Sequence, residues 1–267
     1  MIHCQTKIKN RKMSEQKPIL VFLPGLGEDH RFFKNQTAAF PNSYAADWID
    51  PLPNETLEQY AIRYATEIRT VIRSELDRCP SAPVIVCGHS LGGMVAPYVA
   101  RELNASACIL LATIRSPDQF PMRFYPTWIL MQHRPTRQAL LVVIRLFARL
   151  LLFFPWLWQW FVRPKIVRAF VEMPLFRLSE LFRMMFDWTY RRRSAEGIGT
   201  IVFDKPTLQI HGTCDLILPI RRTHPDIRLE GCGHLFPLTH SEKINEMLKD
   251  FILQIGKSIP ATHCPSD

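Results

Sequence analysis

The chain lacks the patterns that define several large classes of protein. It has no Gly-X-Y repeat, no heptad array and no internal period of about 20–50 residues, which excludes collagen, coiled coils and solenoids. Its seven cysteines form no C-x-x-C pair and have no framework spacing, so we expect reduced thiols in a cytoplasmic protein. Residues 1–18 are basic but contain no apolar run, so they predict a loose tail and no secretory signal.

The composition is that of a globular protein with a sizeable core. Of the 267 residues, 47% are hydrophobic and 21% are charged, which is too apolar for a disordered chain. The net charge is +9, and residues 115–195 alone carry 14 Lys/Arg against 4 Asp/Glu. No nucleic-acid-binding module is recognisable in that block, so we expect no nucleic-acid partner.

Short apolar runs alternate along the chain with segments of helical periodicity. This alternation predicts βαβ units and a mostly parallel sheet flanked by helices. In such sheets the functional groups lie in loops at the carboxyl ends of the strands. The predicted strands are residues 19–23, 44–49, 84–87, 107–112, 207–211 and 227–230, and the predicted helices are residues 55–78, 91–103 and 241–254.

A candidate nucleophile lies where a predicted strand turns into a predicted helix. Residues 88–92 read Gly-His-Ser-Leu-Gly, and a serine at such a junction is lifted out of the sheet by a sharp turn whose glycines allow close backbone approach. The alternative is a glycine-rich turn in which Ser90 only caps the helix. The bulky apolar run before it and Gly93 after it argue against that alternative. His89 is interpreted as a packing or hydrogen-bonding residue.

A serine hydroxyl needs a base to remove its proton and a third group to orient that base. His234 follows the last predicted strand in a glycine-rich loop, and Asp215 follows the strand before it. Asp118, which follows the strand at residues 107–112, is the alternative carboxylate. No cysteine or histidine spacing indicates a metal site.

Three motifs together resemble those of the α/β-hydrolase superfamily. They are Gly-His-Ser-Leu-Gly at residues 88–92, His-Gly-Thr-Cys-Asp at 211–215 and Gly-Cys-Gly-His at 231–234. Members of this superfamily carry their serine, acid and histidine in that chain order. The resemblance covers residues 19–114 and 197–254, which we expect to form an α/β-hydrolase core.

The resemblance implies a role for each matched residue. Ser90 corresponds to the nucleophile, Asp215 to the acid and His234 to the base. Two backbone amides would stabilise the oxyanion, that of Leu91 after the nucleophile and that of Leu26 in the loop after the first strand. In that loop a proline stands where the family often has histidine. The chemistry requires no cofactor or metal, and a serine nucleophile disfavours haloalkane or epoxide substrates.

Residues 115–196 lie where relatives insert a cap, after the strand at residues 107–112. This segment holds the basic block and five of the six tryptophans, so we expect a basic, aromatic, helical cap. Residues 255–267 are expected to be a loose C-terminal tail.

One stretch of the expected cap is strongly apolar. Residues 139–154 hold twelve large apolar side chains together with Arg145 and Arg149. As a helix this stretch covers only about 24 Å, against about 30 Å of bilayer hydrocarbon, so it is not expected to span a membrane. Two alternatives stay open: its apolar face covers the active site, or part of that face contacts membrane lipid.

These features predict a serine hydrolase that cleaves carboxylic esters with an apolar acyl part through an acyl-enzyme on Ser90. The basic cap also suits an acidic partner such as a carrier protein or a coenzyme A thioester. A thioesterase, or a carrier-protein-linked acyl ester hydrolase or acyltransferase, is therefore an alternative. A peripheral membrane-binding module with a relic site is an alternative of another class. We expect a cytoplasmic protein, with peripheral membrane contact through the cap left open.

Overall fold

A computed structural model of the protein describes residues 17–80, 82–152, 164–194 and 203–258. Its strands are β1 Ile19–Leu23, β2 Ser43–Ala45, β3 Val84–His89, β4 Ala107–Leu111, β5 Thr207–Gly212 and β6 Ile227–Leu229. They form one sheet in the order β2-β1-β3-β4-β5-β6, and every pair is parallel. The expected fold class, a mostly parallel sheet flanked by helices, is confirmed.

The helices cover both faces of this sheet. They are α1 Lys34–Ala39, α2 Leu57–Val71, α3 Arg73–Arg78, α4 Leu91–Glu102, α5 Tyr125–Met131, α6 Arg134–Leu152, α7 Pro164–Glu172, α8 Leu175–Ser194, α9 Phe236–Thr239 and α10 Ser241–Ser258. The single helix expected over residues 55–78 is two helices that meet at Ile72. The break follows the β-branched run Thr70-Val71-Ile72, whose side chains lower helix propensity.

Successive side chains of the sheet enter two separate cores. Ile19, Val21 and Leu23 of β1 join a cluster with α2, α4 and α8, whereas Leu20 and Phe22 join a cluster with α9 and α10. A parallel sheet covered on both faces has no polar face, which explains why its strands read as continuous apolar runs in the sequence.

The strand order changes direction between β1 and β3. The chain runs outward from β1 to the edge strand β2, returns to β3 on the other side of β1, and then continues outward to β6. At such a switch point the loops after the two neighbouring strands diverge and leave a crevice at their carboxyl ends. The loops after β1 and β3 therefore meet at one position on the sheet edge.

Four of the described helices, α5 to α8, lie between β4 and β5. α8 attaches this part of the chain to the core, because Trp188 Nε1 donates to Tyr98 Oη at 3.0 Å and Arg183 donates to the Glu55 carbonyl at 2.8 Å. The apolar stretch at residues 139–154 falls in α6, except for positions 153 and 154, which lie outside the described residues. No helix among the described residues has the length and apolarity needed to cross a membrane.

The expectation of reduced thiols holds only in part. Cys87, Cys108, Cys214 and Cys232 are free. Cys79 is disulfide-bonded, and this corrects the expectation. Spacing along the chain does not by itself reveal which cysteines are oxidised.

Gly92→Ala tests the close approach at the switch point. A Cβ on Gly92 would overlap the carbonyl oxygens of Leu23 and Pro24, whereas a Cβ on Gly256 in α10 meets nothing within 4 Å. We expect Gly92→Ala to lower the free energy of unfolding by about 1–3 kcal/mol, because backbone must shift to admit the methyl group.

The matched control, Gly256→Ala, should raise the free energy of unfolding by about 0.5–1 kcal/mol through helix propensity. Urea unfolding followed by circular dichroism measures both values. Equal effects of the two substitutions would contradict the packing argument.

Candidate active site

Ser90 lies on a strained turn between β3 and α4. Its backbone has φ 51° and ψ −117°, outside the regions that side-chain-bearing residues favour. The surrounding structure holds this conformation, since Ser90 N donates to the Leu111 carbonyl at 3.0 Å and Thr113 Oγ1 donates to the Ser90 carbonyl at 2.6 Å. A Cβ on Gly88 would overlap the Gly92 backbone, so the motif requires glycine at that position.

The structure brings Ser90, His234 and Asp215 into one chain of hydrogen bonds. His234 Nδ1 lies 2.7 Å from Asp215 Oδ2, and His234 Nε2 lies 3.0 Å from Ser90 Oγ. A carboxylate can only accept, so Nδ1 carries the hydrogen and Nε2 is left to accept from the serine hydroxyl. Three residues from three different loops therefore meet at the carboxyl edge of the sheet.

Three hydrogen bonds hold Asp215 in place. Its Oδ1 accepts from the amides of Ile217 and Leu218 at 2.8 and 2.9 Å, and its Oδ2 accepts from His234. His211 Nε2, which donates to the Leu218 carbonyl at 2.7 Å, also lies 3.2 Å from Oδ2. Burial acts to raise the pKa of Asp215, but the interactions with the two histidines outweigh it and hold the pKa below its usual value. The carboxylate is therefore ionised at neutral pH.

Asp118, the alternative carboxylate, lies elsewhere. It is exposed on the short 3-10 helix Pro117–Gln119 that follows β4. The position beside His234 Nδ1 is taken by Asp215.

Burial lowers the pKa of His234 below the usual value of histidine. The hydrogen bond and charge of Asp215 act in the opposite direction, while the charge of His89 lowers the pKa further. The two imidazole rings have centroids only 5.0 Å apart. The net effect keeps the His234 ring neutral, with Nε2 free to accept a proton.

Glu28 and His89 form a buried pair that the sequence motifs did not reveal. His89 Nδ1 lies 3.0 Å from Glu28 Oε2, and His89 Nε2 lies 3.0 Å from the main-chain carbonyl oxygen of His234. Both partners are acceptors, so both ring nitrogens carry hydrogen and His89 is an imidazolium beside a carboxylate. Burial acts to lower the pKa of His89, but the charge and hydrogen bond of Glu28, the hydrogen bond to the His234 carbonyl and the charge of Asp215 together outweigh it, so this pKa is raised.

The same carboxylate also anchors the loop after β1. Glu28 Oε2 accepts from the Gly25 amide at 2.6 Å, and the Gly25 carbonyl accepts from Trp48 Nε1 at 3.0 Å. The Glu28–His89 pair thus connects the loop that carries Leu26 to the backbone of His234. No local pattern could have indicated it, because the two side chains are 61 residues apart in the sequence.

The two predicted oxyanion amides belong to the start of α4 and to the loop after β1, and these two parts of the chain are in close contact. Leu91 is the first residue of α4, where amides have no partner inside the helix and the helix dipole favours negative charge. Leu26 belongs to the loop that Glu28 and Trp48 fix. The contact of Gly92 with the Leu23 and Pro24 carbonyls holds the start of α4 against this loop.

α7 lies over the loop after β1. The ring of Phe170 contacts Gly27 so closely that a Cβ at this position would overlap it, and Gly27 has a φ of 77° that favours glycine. Glu172 at the end of α7 pairs with Arg31 at 3.2 Å. An apolar side chain from the segment between β4 and β5 therefore borders the site.

Among the described residues, one group of side chains has ligand atoms close enough to hold a metal ion: Asp29, His30 and Asp47. It lies near the surface and its members are already paired, His30 with Asp47 at 2.8 Å and Asp29 with Arg31 at 2.5 Å. None of these side chains belongs to the Ser90–His234–Asp215 chain of hydrogen bonds.

A six-stranded parallel sheet with a strained serine turn and a hydrogen-bonded Ser–His–Asp arrangement defines a protein of the hydrolase class. A sequence profile of the alpha/beta hydrolase family matches residues 20–247. The chain belongs to this family. A search of curated protein sequences found no significant match.

Solved structures of the same fold resemble this one over nearly their whole length. MenH from S. aureus has a TM-score of 0.62 and 19% identity, covering 90% of this chain and 95% of its own. A thermophilic esterase from Thermogutta terrifontis has a TM-score of 0.59 and 16% identity, covering 89% of this chain and 90% of its own. The type II thioesterase YbtT of the yersiniabactin pathway has a TM-score of 0.56 and 17% identity, covering 90% of this chain and 94% of its own.

The environment of His234 predicts the direction of its titration. We expect the His234 pKa to lie below 6.5, the usual value of histidine. Removing the carboxylate with Asp215→Asn should lower the pKa further, because the hydrogen bond and charge of Asp215 act to raise it. Nitrogen-15 NMR of the histidine rings measures both values, and a pKa above 6.5 in the unsubstituted protein would contradict this account.

Glu28→Gln tests the buried pair. The substitution leaves the buried His89 imidazolium without its counter-charge, so we expect the free energy of unfolding to fall by about 3 kcal/mol. Asp29→Asn removes the neighbouring carboxylate, whose partner Arg31 is largely solvent-exposed, and should cost no more than about 1 kcal/mol. Chemical unfolding of both variants gives the comparison, and similar losses would argue against a special role of Glu28.

Proposed function

We propose that this protein is a serine hydrolase that cleaves carboxylic esters with an apolar acyl part through an acyl-enzyme on Ser90. The observation that carries the proposal is the unbroken chain of hydrogen bonds from Asp215 through His234 to Ser90 Oγ. The arrangement matches what an activated serine needs: a neutral base within reach of the hydroxyl, and a carboxylate that sets the tautomer of that base.

The first half of the reaction forms the acyl-enzyme. Ser90 Oγ attacks the ester carbonyl carbon while His234 Nε2 takes the hydroxyl proton. The negative charge that develops on the carbonyl oxygen is stabilised by the amides of Leu26 and Leu91. The carbon–oxygen bond to the alcohol then breaks, and His234 returns its proton to the departing alkoxide.

The second half releases the acid. Water gives a proton to His234 Nε2 and attacks the acyl carbon, and the same two amides receive the oxyanion. The bond to Ser90 Oγ breaks and the proton returns to the serine, which restores the starting state. Asp215 stays ionised throughout, held so by its interactions with His211 and His234.

The surroundings of the site favour an apolar acyl group. Phe170 lies against the loop that carries Leu26. Leu216 and Ile217, which follow Asp215 directly, are 81% and 49% exposed. Apolar side chains beside the loop that carries Leu26 and beside Asp215 provide a surface for a hydrocarbon chain rather than for a charged group.

A second candidate is a thioesterase or acyltransferase that uses the same acyl-enzyme. The observation in its favour is the excess of ten positive charges in residues 115–195, which suits coenzyme A or an acidic carrier protein. Comparing free and carrier-bound acyl substrates at low and high salt separates the two proposals. Only turnover of the carrier-bound substrate should fall steeply as salt screens the cap.

Two substitutions test the proposed roles directly. Ser90→Ala should abolish labelling by a fluorophosphonate probe and reduce p-nitrophenyl butyrate hydrolysis by at least about 10³-fold in a folded protein. Asp215→Asn should reduce kcat by about 10⁴-fold, because the histidine loses the partner that sets its tautomer.

The matched control is Asp118→Asn, which removes an exposed carboxylate after β4 and should leave kcat within about twofold. An unlabelled Ser90 in the unsubstituted protein would support a relic site instead. Equal activity of the Asp215→Asn and Asp118→Asn variants would refute the assignment of the acid.

A further inference from the structure

Helix α6 is oriented in the opposite way to an ordinary amphipathic helix. Helices on the surface of a globular protein turn their apolar stripe toward the core and their charges toward water. In α6 the buried positions include Arg137, which is 3% exposed, together with Leu141. The large apolar side chains that face solvent instead are Val142 (42% exposed), Val143 (62%), Ile144 (37%), Leu146 (52%), Phe147 (63%) and Leu150 (57%). We refer to these six as the apolar face of α6.

Specific contacts fix this orientation. Arg137 Nε donates to Ser179 Oγ at 2.7 Å, and its guanidinium pairs with Glu180 at 2.7 Å and donates to the Met131 carbonyl at 2.9 Å. Arg145, two turns further along α6, donates to the Met173 carbonyl. A rotation of α6 that buried the apolar face would leave the buried Glu180 without this partner.

The neighbouring segment adds further exposed apolar side chains. α5 packs against α6, and it exposes Ile129 and Leu130 at 50% and 51%. Met122 and Tyr125, at the start of this segment, are 45% and 40% exposed. This region thus holds ten of the seventeen exposed large apolar side chains among the described residues, and such a concentration marks an interaction surface.

The net charge of the segment that contains α6 selects the partner. Residues 115–195 carry 14 Lys/Arg and 4 Asp/Glu, and on α6 itself Arg134 and Arg149 are exposed. Two copies of the chain meeting through this face would bring two strongly positive segments together, which electrostatic repulsion opposes. An anionic lipid surface instead attracts the positive charge and also accepts the apolar side chains.

We infer that α6 docks on anionic lipid membranes, lying in the interface with its apolar face among the acyl chains and Arg149 at the headgroup phosphates. The helix lies on the bilayer and does not span it. The turn that leads into α5 contacts the site loop, since Arg123 donates to the carbonyls of Leu216 and Ile217. Docking therefore places the site next to a source of apolar acyl esters. The binding itself does not depend on the proposed hydrolase activity.

The test is flotation of the full chain with lipid vesicles. We expect at least tenfold more protein bound to phosphatidylcholine vesicles containing 30% phosphatidylserine than to pure phosphatidylcholine vesicles, in about 0.1 M salt. The double variant Val143→Glu/Phe147→Glu should reduce binding at least tenfold. Hydrolysis of water-soluble p-nitrophenyl acetate should stay unchanged, because neither side chain belongs to the site.

The matched control is Val71→Glu/Leu253→Glu. It introduces the same charge at two apolar positions of similar exposure, 53% and 55%, on α2 and α10, and should bind vesicles like the unsubstituted protein. If the double variant of α6 fails to fold, Phe147→Ser tests the same face with a smaller change.

Two outcomes would overturn the inference. One is equal binding of the α6 variant and the control variant to anionic vesicles. The other is absence of binding to anionic vesicles. A dimer in sedimentation velocity that the α6 variant abolishes would then assign the face to a second copy of the chain. Loss of ester hydrolysis with vesicle binding intact would count against the proposed function alone.

Discussion

Parallel pairing of all six strands is the constraint on which the site depends. Because every strand runs in the same direction, the loops after β1, β3, β5 and β6 all leave the sheet at one edge. Ser90 and His234 can therefore form a hydrogen bond although 144 residues separate them. The helices on both faces stabilise this pairing by burying the central strands β1, β3 and β4 completely, and the long segment between β4 and β5 is accommodated without disturbing it.

The buried histidines and carboxylates of the site carry balanced charge only once His234 is protonated. Before that, the carboxylates of Asp215 and Glu28 face one imidazolium, His89, while His234 is neutral with Nε2 unprotonated. In the proposed reaction His234 gains a proton, and the second imidazolium then completes the balance with the two carboxylates. The oxyanion that forms at the same time lies at the N-terminus of α4, where the helix dipole favours it. Little reorganisation is then required at the moment of bond formation.

The sequence predicted those features that local sterics and chain order determine. The Ser90 turn could be predicted because only glycine fits at positions 88 and 92. Asp215 and His234 could be predicted because each lies in the loop that follows a strand. The Glu28–His89 pair was not predictable, since it depends on packing between residues 61 positions apart. The rotation of α6 was not predictable either. Its periodicity defines an apolar face, but the contacts of Arg137 with α8 decide which way that face points.

The outermost strands of the sheet are its shortest. β2 and β6 each have three residues, whereas the inner strands have five or six. A short outer strand offers few unpaired amides and carbonyls to which a strand of another molecule could add. The apolar surface of α6 is therefore not accompanied by a long open sheet edge along which intermolecular β-structure could grow.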